Sequence, residues 1–211
     1  MRPLRRRGPS AARPRVEGLE GRSLLATFTV TLAADSGPGT LRQAILDANA
    51  SPGADAIAFN IGTGVQAIRP LSALPIIAAG QPLSLDGFTQ PGGGAGTRIV
   101  LDGSRAGVAV VGLQVDADNS VIRGLTVCNF GGAGVVVHGG GSQVAGCVVG
   151  ADPSGLTAQP NAAGISVTGP RNLIGGPSAA EGNLVSGNRG NGIDIAGAGA
   201  SRNAMNCKIS G

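Results

Sequence analysis

A three-fold repetition between Ser120 and Ile195 constrains the fold of this chain more than any other feature. A first phrase consists of a small polar residue, an apolar residue two places later and then glycine, and it occurs at Ser120–Gly124, Ser142–Gly146 and Asn172–Gly176. A second phrase, glycine followed by mostly apolar residues, occurs at Gly134–Val137, Gly164–Val167 and Gly192–Ile195. The starts of these phrases lie between 22 and 30 residues apart. Repeats of about 20–50 residues are typical of stacked arrays.

The repeated phrases predict short parallel strands rather than helices. Their apolar residues alternate and are mostly β-branched, which suits a half-buried pleated surface. Glycine and asparagine separate them and tolerate the backbone conformations of sharp corners. Ile122, Val144 and Ile174 are therefore expected to form one column. The expected fold class is all-β, a single-stranded right-handed parallel β-helix (β-solenoid) with one short N-terminal capping α-helix, in which residues 151–160 and 176–182 form outward loops.

Composition and charge exclude two classes of protein. Of the 16 Lys and Arg residues, seven lie in residues 1–26, so the net charge of +4 belongs to this leader and the remainder is near neutral. A nucleic-acid-binding domain usually carries a basic face and stacking aromatic residues, but the chain has four Phe and neither Tyr nor Trp. No apolar run approaches the roughly 18 residues of a membrane-spanning helix. We therefore expect neither nucleic-acid binding nor a transmembrane segment.

The chain divides into three regions. Residues 1–26 are polar and rich in Arg and Pro, so they are predicted to be a disordered basic leader, and their apolar run is too short for a signal peptide. Residues 27–61 are predicted to form an N-terminal strand–helix cap, in which Thr40 and Gln43 form a capping box. Residues 62–211 are predicted to form the coils of the parallel β-helix. The pattern frays after Ile195, so we expect the chain to be truncated at its C-terminal end and a further domain or subunit to follow residue 211.

Three residues form the sharpest candidate catalytic set. Asp116 and Asp118, two apart, would share one side of a strand, and Arg123 follows nearby. A lyase could use the carboxylates to hold Ca²⁺ and the arginine as a base. A solvated cluster at a strand end is the preferred interpretation, and His138 is expected at an exposed corner without an acid beside it in sequence. No catalytic residue, metal or other cofactor is therefore assigned.

Other polar and sulfur-containing residues have structural interpretations. Asp86 and Asp102 both end a Leu-Asp-Gly segment and are expected to cap turns. Cys128, Cys147 and Cys207 lack metal-ligand spacing, and their odd number implies no disulfide framework. Cys147 occupies an apolar strand position and is expected to be a buried thiol.

Four segments carry a resemblance to known proteins. Residues 146–167 and 172–195 resemble the tandem right-handed parallel β-helix (pectin-lyase-like) repeats of large bacterial secreted proteins. Residues 37–61 are similar to the CSLREA domain that precedes such repeats, although its Cys is Gly39 or Thr40 here and its Glu is Gln43. Residues 16–26 resemble an N-terminal segment of surface or secreted proteins of planctomycete-type bacteria. The resemblance implies an extracellular or cell-surface location.

Two functions from different classes remain open. The first is a non-catalytic structural, adhesive or surface-display β-helix, the N-terminal part of a larger exported protein, with extracellular polysaccharide or cell-surface components as partners. The alternative is a polysaccharide lyase or glycoside hydrolase that acts on an acidic polysaccharide. The N-x-D, D-D, G-H-G and R-x-K phrases of polygalacturonases are missing, as are the tyrosines and tryptophans of sugar subsites. The sequence therefore favours the non-catalytic function without deciding whether the protein is an enzyme.

Overall fold

A computed structural model describes residues 25–92, 96 and 99–210 of the chain, with the backbone alone at residues 206 and 208–210. The predicted basic leader lies almost entirely outside the described residues. In chain order the elements are β1 (Thr27–Val30), α1 (Leu41–Ala50), β2 (Asp55–Phe59), β3 (Gln66–Ile68), β4 (Leu83–Asp86), β5 (Ile99–Asp102), β6 (Leu113–Val115), β7 (Val121–Arg123), β8 (Leu125–Cys128), β9 (Ala133–Val137), β10 (Gln143–Ala145), β11 (Val148–Val149), β12 (Ala163–Val167), β13 (Leu173–Gly175), β14 (Asn183–Ser186), β15 (Ile193–Ile195) and β16 (Ala204–Ser210).

The named strands of this described part form three parallel sheets. The first sheet has the order β1-β2-β4-β7-β10-β13-β16. The second sheet has the order β14-β11-β8-β5-β3 and meets the first at β16, which is long enough to pair with both β13 and β14. The third sheet has the order β15-β12-β9-β6. The chain returns to each sheet repeatedly, and each return, here called a pass, adds one strand beside the previous one. Most pairings therefore join residues that are distant in sequence.

The predicted fold class is wrong. In place of a single-stranded right-handed β-helix, the described residues form three parallel sheets of seven, five and four strands with one α-helix, an α/β-type layout in which 34% of the described residues are strand. The terms β-solenoid and pectin-lyase-like fold are corrected with it. The physical reason is that alternating apolar residues suit any parallel sheet. Such a pattern carries no information on how many sheets share the strands.

The predicted column of apolar residues is confirmed. Val144 on β10 pairs with Ile122 on β7 and with Ile174 on β13. All three side chains are buried, with exposed fractions of 1% or less. The column extends toward the N-terminus through Leu85, which pairs with Ile122. Similar side chains thus stack between neighbouring strands and form the core.

A row of four polar side chains, three of them buried, runs parallel to this column. The Ser120 Oγ accepts a hydrogen bond from the Leu83 backbone N–H at 3.0 Å, and the Ser142 Oγ accepts one from the Ser120 N–H at 3.0 Å. The Asn172 Oδ1 continues the series by accepting from the Ser142 N–H at 2.8 Å. The Asn203 Oδ1 accepts from the Asn172 N–H at 2.6 Å. We call this series of four side chains the polar ladder. It explains the small polar residue in the repeated phrase, because each such side chain satisfies a buried N–H of the preceding pass.

The helix α1 packs on the β1 edge of the first sheet. It contacts β1 and β2 and buries the face formed by Leu41, Ala44, Ile45 and Ala48. Thr40 caps its first turn by accepting a hydrogen bond from the Gln43 N–H at 3.3 Å. The Gln43 side chain donates instead to Asp47, so only half of the predicted capping box is present. A ten-residue helix is marginal alone in water, and this apolar contact is what stabilises it.

The two predicted outward loops lie at the surface. In residues 151–160, Leu156 is 89% exposed, and the Asp152 carboxylate accepts backbone hydrogen bonds from Leu156 and Thr157. In residues 176–182, Ala179–Glu181 form a short 3₁₀ turn without buried residues. Both loops leave the parallel register of the flanking strands intact.

Candidate functional site

The structure separates the three residues of the candidate catalytic set. Asp116 and Asp118 follow β6 of the third sheet, whereas Arg123 ends β7 of the first sheet. The Asp118 Oδ1 accepts a hydrogen bond from the Gly140 N–H at 2.6 Å. The Arg123 Nη2 donates to the Asp86 Oδ2 at 2.6 Å. Among the described residues, the hydrogen bonds of Arg123 therefore do not join it to either of the other two members.

Asp116 instead forms a pair with the single histidine. The His138 Nδ1 lies 2.9 Å from the Asp116 Oδ1, and the Gln114 Nε2 donates to the same carboxylate oxygen at 3.0 Å. The pair forms because Val115 and Val137, which precede these residues, are register partners in β6 and β9. His138 is exposed at a corner as predicted, with 45% of its side chain accessible, but it does have an acid beside it in space. An aspartate in this position fixes the orientation of an imidazole that can accept a proton.

A groove on the first sheet is the second candidate site. It has a volume of about 330 Å³, near the lower end of the usual range for ligand pockets. Strands β7 and β10 form its base, and the loops after β4 and β13 form its sides. We call it the sheet groove, and its lining residues are Phe88, Val121, Arg123, Gln143, Ala145, Ala180 and Glu181.

Two glycines of the repeated phrase make the floor on which Phe88 rests. A Cβ atom at Gly124 would lie 2.8 Å from the Phe88 Cγ, and one at Gly146 would lie 2.8 Å from the Phe88 Cζ. Both glycines also have positive φ angles, 71° and 59°. The repeated glycine is therefore required twice over, for the corner of the backbone and for the close approach of an aromatic ring.

The charged groups around the sheet groove are held by neighbours. Arg123 is half-exposed, and its hydrogen bond to Asp86 raises the pKa of the guanidinium. The Glu181 carboxylate accepts from the Ser178 hydroxyl at 2.7 Å and from the Ser178 N–H at 3.0 Å, which lowers the pKa of Glu181. Arg123 adds a smaller attraction that lowers the same pKa. The groove thus presents one guanidinium and one oriented carboxylate beside a partly exposed aromatic ring.

Sequence reasoning missed the aromatic residue of this site. Phe88 is 38% exposed and follows β4 in an irregular part of the chain that carries no repeated phrase. The Asp86-Gly87 turn was the available signal, because a turn at the end of a strand projects the next side chain over the sheet surface. The absence of tyrosine and tryptophan was therefore an incomplete argument against an aromatic platform.

The turn-capping roles predicted for two aspartates are confirmed. Asp86 accepts from the Phe88 N–H at 3.0 Å, and Asp102 accepts from the Ser104 N–H at 3.1 Å, each at the start of a 3₁₀ turn. Each also binds an arginine, since Arg69 contacts Asp102 at 2.9 Å as Arg123 contacts Asp86. Burial raises the pKa of Asp102, but its hydrogen bonds outweigh this effect and the net pKa is lowered.

Cys128 and Cys147 are not candidates for nucleophilic chemistry. Cys147 is buried as predicted, and burial raises the pKa of its thiol to about 12. Burial has the same effect on Cys128, whose pKa is also raised to about 12. A thiol with such a pKa holds its proton at neutral pH, whereas the thiolate is the reactive form. All three cysteines are free thiols.

The described part of the chain contains neither a cluster of metal-ligating side chains nor a membrane-spanning helix. No group of three or more His, Cys, Asp or Glu side chains is arranged to hold a metal ion within residues 25–92, 96 and 99–210. Within the same residues, no helix has the length and hydropathy needed to cross a membrane.

Comparison with known proteins adds no family assignment. No protein-family model matches the chain, and no curated protein matches it significantly. The resemblance to pectin-lyase-like repeats and to the CSLREA domain stays a prediction, and so does the expected extracellular or cell-surface location.

Proposed function

We propose that this chain is a non-catalytic structural or adhesive protein that acts outside the cell or at its surface and holds an acidic polysaccharide in the sheet groove. The side chains of the groove support this proposal. Arg123 offers a guanidinium, which suits carboxylate recognition. Phe88 lies beside it as an apolar face for a sugar ring. We expect the groove to bind the polymer without cleaving it, because the nearby carboxylates are held by hydrogen bonds within turns.

The observation that carries the proposal is the commitment of both acids at the groove to turns. Asp86 caps the turn that holds Phe88 and also binds Arg123. Glu181 accepts two hydrogen bonds from Ser178. A glycosidase needs one carboxylic acid to protonate the leaving oxygen, and its pKa must be raised, whereas the pKa of Glu181 is lowered.

The proposal is tested by measuring binding and cleavage together. Polygalacturonate and alginate are the probes; calorimetry measures affinity, and assays for unsaturated and reducing ends measure turnover. We expect the wild type to bind one of these polymers without releasing either kind of end. Arg123→Ala should weaken that binding by about tenfold, the loss of one charge-assisted hydrogen bond.

A matched control separates the groove from general charge effects. Arg69→Ala removes an arginine of nearly equal exposure, 51% against 50%, that also binds a turn-capping aspartate, but Arg69 does not line the groove. Its affinity should stay within about twofold of wild type. Equal losses in the two variants, or no binding by the wild type, would contradict the proposal.

The Asp116–His138 pair favours a second candidate function, a lyase or glycoside hydrolase. The 2.9 Å contact between the two side chains orients the imidazole of His138 on the third sheet, and the oriented imidazole can accept a proton. If the protein releases unsaturated or reducing ends, and His138→Ala and Asp116→Asn abolish that release while Arg123→Ala preserves it, the catalytic function replaces the adhesive one.

A further inference from the structure

One buried carboxylate in the described part of the chain lacks a full set of partners. Asp55 begins β2 and is 3% exposed. Its Oδ1 accepts a hydrogen bond from the Ala26 N–H at 3.1 Å. Its Oδ2 is buried and has no hydrogen-bond partner among the described residues. Such an arrangement is unfavourable, because a buried carboxylate needs a pairing charge or further hydrogen bonds.

A small cavity adjoins this carboxylate. Its volume is about 40 Å³, enough for an ion with one or two waters but too small for an organic ligand. Its wall is formed by the end of α1, the start of β2 and the segment that leads into β4. The residues that line it are Ala48, Asn49, Asp55, Ile77, Ala78, Ala79, Gln81, Pro82 and Leu83.

The wall of this cavity is held in place by hydrogen bonds. The Asn49 Nδ2 donates to the Ile76 carbonyl at 2.8 Å, and the Asn49 Oδ1 accepts from the Ala78 N–H at 3.0 Å. Ile77 between them is 1% exposed and forms a parallel bridge with Val115 of the third sheet. The segment is thus fixed to both the helix and a sheet, so the cavity belongs to the folded architecture.

The electrostatic character of the cavity is negative. Asp55 is the one ionisable residue in the lining, which includes no lysine, arginine or histidine. Ala48 and Asn49 lie in the last turn of α1, at the negative end of the helix dipole. Gln81 in the lining carries a side-chain amide oxygen, and neutral oxygen atoms of this kind are ligands for hard cations.

We propose that this cavity, here called the Asp55 site, binds a small hard cation with the Asp55 Oδ2 as its charged ligand. The cation neutralises the buried carboxylate and links the end of α1 to β2 and to the segment before β4. It therefore stabilises the attachment of the helix to the first sheet. The site is separate from the sheet groove, so its test is independent of the proposed adhesive function.

The test compares thermal unfolding of the full chain in three chloride salts at equal ionic strength. Sodium and calcium are the probes, and tetramethylammonium is the reference cation because it is too large for the cavity. We expect sodium or calcium to raise the Tm by about 5–10 °C at a concentration a hundred times the dissociation constant. Equal Tm values in all three salts would overturn the proposal.

Two variants assign the effect to the site. Asp55→Asn keeps the shape of the side chain and should remove the cation dependence, whereas Asp47→Asn, which changes an exposed acid on α1, should keep it. Gln81→Glu changes an exposed residue of the lining and should therefore fold. It tests the site even if Asp55→Asn does not fold. It should increase the calcium-dependent shift, since a second carboxylate favours a divalent ion. A cation dependence that survives in folded Asp55→Asn, or an unchanged calcium shift in Gln81→Glu, would count against the site.

Discussion

Replacing Asn172 by alanine is expected to lower the free energy of unfolding by about 3 kcal/mol, since two buried backbone groups lose their partners at about 1–3 kcal/mol each. Asn172 is 1% exposed. Its Oδ1 accepts from the Ser142 N–H at 2.8 Å, and its Nδ2 donates to the Gly139 carbonyl at 3.0 Å. Urea unfolding followed by circular dichroism measures the change.

The control for this prediction is an asparagine that is not part of the polar ladder. Asn191 is exposed at a corner before β15, so Asn191→Ala should change stability by less than about 0.5 kcal/mol. If Asn172→Ala costs less than about 1 kcal/mol, the polar ladder does not stabilise the stacking of successive passes in the way described above.

Phe130→Ala is expected to have the largest effect of any single substitution considered, a loss of about 3–5 kcal/mol. Phe130 is 1% exposed and is among the largest fully buried side chains. A Cβ atom at Gly103 would overlap its ring, and one at Gly112 would lie 2.9 Å from its Cδ2. The ring is thus closely packed against two glycines, and its removal leaves a cavity that rigid parallel strands cannot close.

A double-mutant cycle tests that explanation. Gly103→Ala alone should destabilise the protein, by about 1–3 kcal/mol, because its methyl group would enter the space of the Phe130 ring. In the Phe130→Ala background the same methyl group has room, so most of its cost should disappear. Urea unfolding of the two single variants and the double variant gives the coupling. Strictly additive costs would mean that the ring and the glycine do not share this space.

The repeated phrases permitted correct prediction of strand register but not of the sheet layout. Ile122, Val144 and Ile174 share a position within the phrase, and parallel pairing of equivalent positions follows from it. The division into three sheets depends on the backbone angles at the corners between strands. Glycine allows many such angles, so its presence does not determine the direction of the next strand. The α1 helix was predictable from its apolar face because helical periodicity is local.

The candidate sites were less predictable because they join residues from different passes. His138 lies 22 residues after Asp116, the same interval as from Ser120 to Ser142, and that coincidence was the signal that could have paired them. Phe88 reaches the sheet groove from an irregular segment with no comparable interval. The unpartnered oxygen of Asp55 depends on the packing of α1 against the segment before β4, which sequence spacing does not describe.

The stacking of successive passes in register is the central claim, and methyl nuclear Overhauser effects measure it most directly. In protein with labelled isoleucine and valine methyl groups, we predict cross-peaks from Val144 to both Ile122 and Ile174, which lie on strands about 4.8 Å to either side. Ile122 and Ile174 are separated by about twice that distance and should show a much weaker direct cross-peak or none. A well-dispersed spectrum in which Val144 shows neither cross-peak would contradict the account.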